Sequence, residues 1–221
     1  MASFQTQIED MIGTTDFNDD AFITQAIQDV GAEIVSVTPI KKLMKVAKTS
    51  SISSGGLNIA SKKILSVEKD DYIAREIPAS DKARYKSSNS IYSSSNTDPV
   101  FYTESQSVFV IGNAASNETS GTLHFVPLIP THDGDNSIAY NSTSTEHFPK
   151  EAVHIIVLGA AAKCLQQLLS LKNEKLKVYV QTDEDSELAQ AITLEMKAIQ
   201  AQLTLLEGKY ANSLKTFVES N

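Results

Sequence analysis

Cys164 and His154 are the residues of this chain that most resemble a nucleophile and its base, and both lie in the stretch FPKEAVHIIVLGAAAKCLQQLLSLK. A cysteine nucleophile needs a histidine within hydrogen-bond reach. On a helix, the rise from residue 154 to residue 164 separates these side chains by about 15 Å along the axis, so they cannot act as a pair. We therefore interpret Cys164 as a small buried thiol and His154 as a satisfied or interface histidine.

Other clusters that could do chemistry each lack part of their motif. The HDGDNS segment offers Asp133 and Asp135 but lacks the remaining ligands and the terminal glutamate of a calcium loop. The segment Ser53-Ser54-Gly55-Gly56 has neither the lysine of a phosphate loop nor the G-x-S-x-G elbow. The 4 histidines never occur at a metal-ligand spacing such as H-E-x-x-H. We predict no catalytic residue, no cofactor and no metal, and hence a protein that is not an enzyme.

Composition narrows the class of protein. The 221 residues suffice for one domain with a large insertion or for two small domains. A single cysteine excludes intramolecular disulfides and multi-cysteine zinc sites. The net charge of −8 argues against a general nucleic-acid binder, which needs clustered Lys and Arg. Since MASFQTQIED lacks the basic and apolar regions of a signal peptide, we expect assembly in the cytoplasm.

The charge is distributed unevenly along the chain. Residues 1–37 contain seven acidic residues and no Lys or Arg, whereas residues 38–67 contain six lysines and no acid. The basic group, Lys41–Lys63, is either a solvated surface or part of an interface with another subunit.

Amphipathic helices are predicted at the N-terminal end. Apolar residues at three-and-four spacing predict a helix over Asn18–Val37, which Asp16 or Asn18 can cap and which Thr38-Pro39 ends. A shorter helix is predicted at Phe4–Ile12, stopped by Gly13.

Helices are also predicted at the C-terminal end, where one begins at Pro149 and a second runs from Asp183 to about Phe217. The second helix carries a heptad-like seam formed by Ile192, Met196, Ile199, Leu203, Leu206 and Tyr210. Between these helices, EKLKVYVQT is predicted to be a short strand or an extended connection.

The middle of the chain contains short segments with strand periodicity, including KKILSV, VFYTE, SVFVIG and TLHFVPLI. Clusters of Gly, Pro and Ser separate these segments. Because amphipathic helices must bury their stripes, the flanking helices should pack on one another. We predict an α+β fold, a helical bundle built from the N- and C-terminal segments with an inserted antiparallel β-sandwich or small β-barrel. The predicted boundaries are 1–48, 49–147 and 148–221.

The apolar stretch around residue 159 is also a candidate membrane span. Lys150, Glu151 and Lys163 bracket a run shorter than the roughly 20 residues of a transmembrane helix, so we predict no membrane anchor. Small residues remove side-chain bulk over one turn of this helix, at Gly159, Ala160, Ala161 and Ala162. They favour a central helix that neighbours approach closely, within the protomer or across a subunit boundary.

Several segments, taken in order, resemble the head-to-tail connector (adaptor) proteins of tailed bacteriophages. They are FQTQIEDMIG, REIPASDKARYK, the DPVFY strand, GTLHFVPLIP, and an FP-x-E-A helix entry followed by a small-residue apolar helix. The resemblance implies a subunit of a dodecameric ring in the virion neck, docked beneath the portal protein with tail or nozzle proteins below. It also implies that the genome passes through the channel without specific binding, which an acidic protein would favour.

In connector proteins the C-terminal tail commonly reaches the portal. The resemblance therefore makes Leu214, Phe217 and Val218 candidate portal-docking residues. The alternative is that these three residues finish the heptad seam.

Two other functions remain open from the sequence. The first is another virion structural protein, such as a tail or baseplate component. The second is a cell-envelope enzyme or glycan-binding module housed in the β-rich segment, although the chain has no tryptophan and its tyrosines are scattered.

Overall fold

The computed structural model describes residues 2–13, 19–113, 118–133, 136–182 and 186–220. The protein has an α+β fold, 52% helical and 22% strand. It divides into two compact units, which we call the helical unit (Met1–Val37 with Ile129–Asn221) and the β unit (Thr38–Leu128). The α+β prediction is confirmed, and the β unit is inserted into a helical unit made from both ends of the chain.

Within its described residues, the helical unit contains four helices: α1 (Phe4–Ile12), α2 (Asp20–Val37), α5 (Val153–Thr182) and α6 (Ser186–Glu219). A short hairpin of β9 (Thr131–His132) and β10 (Asn136–Ser137) belongs to the same unit. Helix α5 is central, since α1, α2 and α6 all pack on it. The predicted bundle is therefore the observed arrangement of these helices.

Local sequence explains where the N-terminal helices begin and end. The Ser3 hydroxyl accepts a hydrogen bond from the Thr6 amide at the start of α1, and Gly13 ends that helix with φ +69°. At the start of α2 the Asp19 carboxylate accepts a hydrogen bond from the Phe22 amide at 2.9 Å. Asp19 is therefore the capping residue, and the predicted caps Asp16 and Asn18 lie outside the described residues.

Helix α5 extends further than the sequence predicted. A 3₁₀ turn at Lys150–Ala152 follows Pro149, and the helix then continues without a break to Thr182. The EKLKVYVQT segment is thus helical, and the prediction of a strand or extended connection was wrong. The alternation of apolar Leu176 and Val178 with polar residues is typical of a strand. Extending a helix that has already formed costs little free energy, however, and α5 packs on α6. The predicted start of α6 at Asp183 lies outside the described residues.

The helix covering Lys150–Tyr179 is long and apolar enough to cross a membrane by length and composition alone. Within its most apolar window, 61% of the residues are buried inside the protein. Core helices of folded proteins share both properties, so this helix carries no membrane assignment. The absence of an anchor stays a prediction.

The β unit begins with two short helices, α3 (Ile40–Leu43) and a 3₁₀ turn (Met44–Val46). The strands in the part of this unit that the structure describes are β1 (Lys48–Ile52), β2 (Leu57–Asn58), β3 (Lys62–Lys69), β4 (Tyr72–Ile73), β5 (Arg75–Glu76), β6 (Val100–Glu104), β7 (Ser107–Ile111) and β8 (Gly121–Pro127). A 3₁₀ turn at Ala79–Asp81 and α4 (Lys82–Lys86) connect β5 to the loop before β6. Sequence reasoning missed this helical connection.

The strands form two four-stranded sheets, ordered β1-β8-β3-β4 and β2-β7-β6-β5. Side chains from both sheets, such as Leu123 and Val110, share one hydrophobic cluster, so the arrangement is a sandwich rather than a barrel. One pair departs from the predicted antiparallel pattern, since β5 runs parallel to β6.

The unit boundaries differ from those expected at residues 48/49 and 147/148. The segment 129–147 has a loop-like sequence, yet its backbone bonds to the helical unit. The Phe4 amide donates to the Ser142 carbonyl at 3.0 Å, and the Tyr140 amide donates to the Thr24 hydroxyl at 3.2 Å. Because buried backbone groups need partners, these bonds place the segment with the helices. Residues 38–48 belong to the β unit.

Candidate functional site

Cys164 is fully buried on α5. Burial raises the pKa of its thiol to about 12, and the negative charge of Asp19 adds to the effect. A thiol in this state is protonated near neutral pH and is a poor nucleophile. The interpretation of Cys164 as a packing residue is confirmed, while His154 lies on the exposed side of the same helix.

Gly159 is the point at which α2 and α6 both approach α5 closely. A Cβ atom built on Gly159 would lie 2.7 Å from Val30 Cγ1 and 2.9 Å from Tyr210 Cε2. The following residues, Ala160, Ala161 and Ala162, are buried in the same unit. The small residues therefore serve packing within one chain, and their side chains are not exposed to a second subunit.

Tyr210 reinforces this helix contact from α6. Burial raises the pKa of its hydroxyl, and the negative charge of Glu33 on α2 raises it further. A hydrogen bond joins α6 to α1, where the Gln202 side-chain amide donates to the Met11 carbonyl at 2.8 Å. The C-terminal half of α6 is thus held in register with the other helices.

A surface depression, which we call the helical groove, runs between α5 and the C-terminal half of α6. It consists of two adjoining hollows of about 430 and 470 Å³ that share His154, Asn212 and Ser213. Ile155 and Phe217 line the first hollow, and Met11, Leu158 and Leu205 line the second. Apolar walls with a polar rim are typical of surfaces that bind another protein segment.

The structure separates the three predicted docking residues. Phe217 lines the helical groove, whereas Leu214 and Val218 are half-buried and are not among its lining residues. Leu214 and Phe217 also continue the three-and-four spacing of the seam beyond Tyr210, as the alternative interpretation predicts. The remaining seam residues are buried or half-buried as predicted.

The helical groove contains few titratable side chains. Its titratable side chains are Glu151, His154 and Lys209, all of them exposed. Within the described ranges, no three His, Cys, Asp or Glu residues lie close enough to hold a metal ion. Asp133, from the predicted turn, lies at the β9–β10 hairpin, and Asp135 lies outside the described residues.

The β unit has a surface cluster, the β-unit patch, in which Arg75, Tyr85 and Tyr92 lie close together and Ile91 adjoins Tyr92 in sequence. The Arg75 guanidinium lies 5.7 Å from the centre of the Tyr85 ring, and the Tyr85 and Tyr92 rings are 6.4 Å apart. Ile91 is 92% exposed at the tip of the serine-rich loop. Sequence reasoning described the tyrosines as scattered, because only the fold brings Tyr85 and Tyr92 together.

A polar network joins α4 to strand β6 of the β unit. The Tyr102 hydroxyl donates to Glu118 Oε1 at 2.6 Å, and the Lys86 ammonium binds the same oxygen. The Lys86 and Tyr102 hydrogen bonds lower the pKa of Glu118 to about 2. Glu118 is therefore a structural carboxylate, ionised at neutral pH.

Comparison with known proteins leaves the family of this chain open. No protein family model matches the chain, and no curated protein matches it. The helical groove and the fold that builds it are therefore the main basis for a functional proposal.

Proposed function

We propose that the chain is a structural subunit of the neck of a tailed-phage virion, assembled in the host cytoplasm. Copies form a dodecameric ring between the portal protein and the tail or nozzle proteins, and the genome passes through that ring. The observation that carries the proposal is the architecture, in which a helical unit made from both chain ends carries an inserted β unit. The resemblance to connector proteins predicts this layout.

The helical groove is the proposed portal-docking site. Phe217 lies near the C-terminal end of α6, where the connector resemblance locates portal contacts. Its neighbours in the groove are apolar at Ile155 and polar at Thr216, so a portal segment with one apolar anchor would fit. The adjacent α6 surface packs on α5 through Tyr210 and is hydrogen-bonded to α1 through Gln202.

Charge supports the passage of DNA without retention. The chain has a net charge of −8, and its residues 1–37 contain seven acidic residues and no Lys or Arg. Nucleic-acid affinity depends mainly on phosphate contacts by cationic side chains, and a ring of this composition would supply few.

The test is co-sedimentation of the full chain with rings of the portal protein encoded in the same genome. We expect the wild-type chain to sediment with the rings, and Asn212→Arg to bind at least about tenfold more weakly because it places bulk and charge in both hollows. Gln200→Arg is the matched control, since Gln200 is also exposed on α6 but does not line the groove. Absence of wild-type binding under assembly conditions would contradict the proposed function. Equal binding by both variants would contradict the groove as its site.

A further inference from the structure

Helix α6 has a second apolar stripe on the side opposite its buried seam. We call it the outer stripe, and its residues follow alternating spacings of three and four: Ala191, Leu194, Ala198, Ala201, Leu205 and Gly208. All six are exposed, with Leu194 at 66% and Leu205 at 57%. The solvent side of a helix is normally polar, so a heptad stripe without a charged member indicates an unfilled helix contact.

The order of residues in the outer stripe is nearly palindromic. About a centre between Ile199 and Gln200, Leu194 mirrors Leu205 and Ala198 mirrors Ala201. The ends, Ala191 and Gly208, are both small. Two antiparallel copies of the stripe would thus place leucine against leucine at both sides and alanine against alanine at the centre. Antiparallel coiled coils form layers of this kind, and small central residues let the helices approach closely.

The charges beside the outer stripe complement one another in the same antiparallel arrangement. Glu195 and Lys209 lie on one flank, Glu195 toward the N-terminal end of the stripe and Lys209 toward the C-terminal end. Antiparallel pairing brings Glu195 of each copy toward Lys209 of the other, twice by symmetry. Glu195 also pairs with Lys172 of α5, yet its side chain remains 55% exposed. The other flank, with Gln190, Lys197 and Thr204, brings no like charges together.

We propose that two copies of this chain associate through their outer stripes, antiparallel and about a two-fold axis. The stripe covers about 25 Å of α6, enough for several layers of helix packing. A self-complementary contact closes a dimer and cannot by itself build a head-to-tail ring. The dimer is therefore a state of the free chain, distinct from the neck ring, and it would use Leu205 and Lys209, which also line the helical groove.

The test is sedimentation-velocity ultracentrifugation of the full-length chain over a concentration series. We expect the wild-type protein to form a species of twice the 24.0 kDa chain mass. Leu194→Glu and Leu205→Lys should each weaken association by at least about tenfold, because both leucine layers lose an apolar partner. Gln200→Glu and Gln200→Lys, at an exposed position off the stripe, are the matched controls and should leave the dimer unchanged.

Mixing the two weakened variants distinguishes the antiparallel arrangement from other associations. In an antiparallel pair, Leu194→Glu faces Leu205→Lys across one layer while the second layer keeps both leucines, so the mixture should recover the dimer. Far-UV circular dichroism verifies that each variant is folded. A wild-type monomer at every concentration, unaffected single variants, or no recovery in the mixture would each overturn the proposal. A wild-type species of ring size would also overturn the dimer, yet it would support the proposed neck ring.

Discussion

Replacing Gly159 by alanine tests whether α5 is central because its small residues allow close helix contacts. In an exposed helix the change stabilises by about 1 kcal/mol, since alanine has the better helix propensity. At Gly159 the new methyl group would lie under 3.0 Å from both Val30 and Tyr210. Overpacking of this kind costs up to about 3 kcal/mol when two packed helices must shift. We expect a net destabilisation of about 2 kcal/mol.

The matched control is Gly208→Ala on α6, where an added methyl group meets no atom within 4 Å. That variant should be more stable than the wild type by about 1 kcal/mol. Both changes remove one glycine from the unfolded chain, so the difference of about 3 kcal/mol between the variants reports native packing alone. Urea titration followed by far-UV circular dichroism measures it, with thermal melts as a second reading. If Gly159→Ala stabilises the protein as much as Gly208→Ala does, the close packing inferred at α5 is wrong.

Two further predictions concern buried and paired groups, and a third concerns the β-unit patch. Cys164 should remain unmodified by a thiol reagent in the native protein and react in urea, because burial holds its pKa at about 12; rapid native labelling would contradict its packing role. Glu118, whose folded pKa of about 2 lies below the ordinary 4.5, contributes stability that is present above pH 4.5 and is lost as pH falls toward 2. Glu118→Gln should therefore cost about 2 kcal/mol at pH 7 and flatten that dependence, and an unchanged acid titration of stability would refute the assignment. Envelope polysaccharide should not retain the wild-type chain on a column; retention that Tyr92→Ser abolishes would instead favour the glycan-binding alternative.

Much of the helical unit could be predicted because its signals are local. The ends of α1 follow from Ser3 and Gly13, and the buried seam of α6 follows from the three-and-four spacing of its apolar residues. Gly159 was identifiable as a close-contact position for the same reason. The outer stripe was also visible in the sequence, but alanine and glycine carry so weak a hydrophobic signal that only their exposure in the folded chain revealed it.

Predictions failed where a segment's partner is remote in sequence. The alternation in EKLKVYVQT favours a strand, and only its place at the end of a helix packed on α6 keeps it helical. Segment 129–147 has the composition of the β insertion, but hydrogen bonds to α1 and α2 join it to the helical unit. The parallel pairing of β5 with β6 is equally invisible, because strand direction depends on how the chain returns across the sheet.

The sequence by itself determined the fold class, the placement of helices at both ends of the chain around a strand-rich middle, the buried character of Cys164 and the small-residue surface of α5. Periodicity, capping and turn chemistry act over a few residues, so they can be read from the chain alone. Only the tertiary structure shows that α2 and α6 contact α5 at Gly159 and that Phe217 and His154 line the same groove. It also shows that the outer stripe of α6 is exposed. These features depend on which faces of distant segments meet, and that is set by the packing of the whole unit rather than by any local pattern.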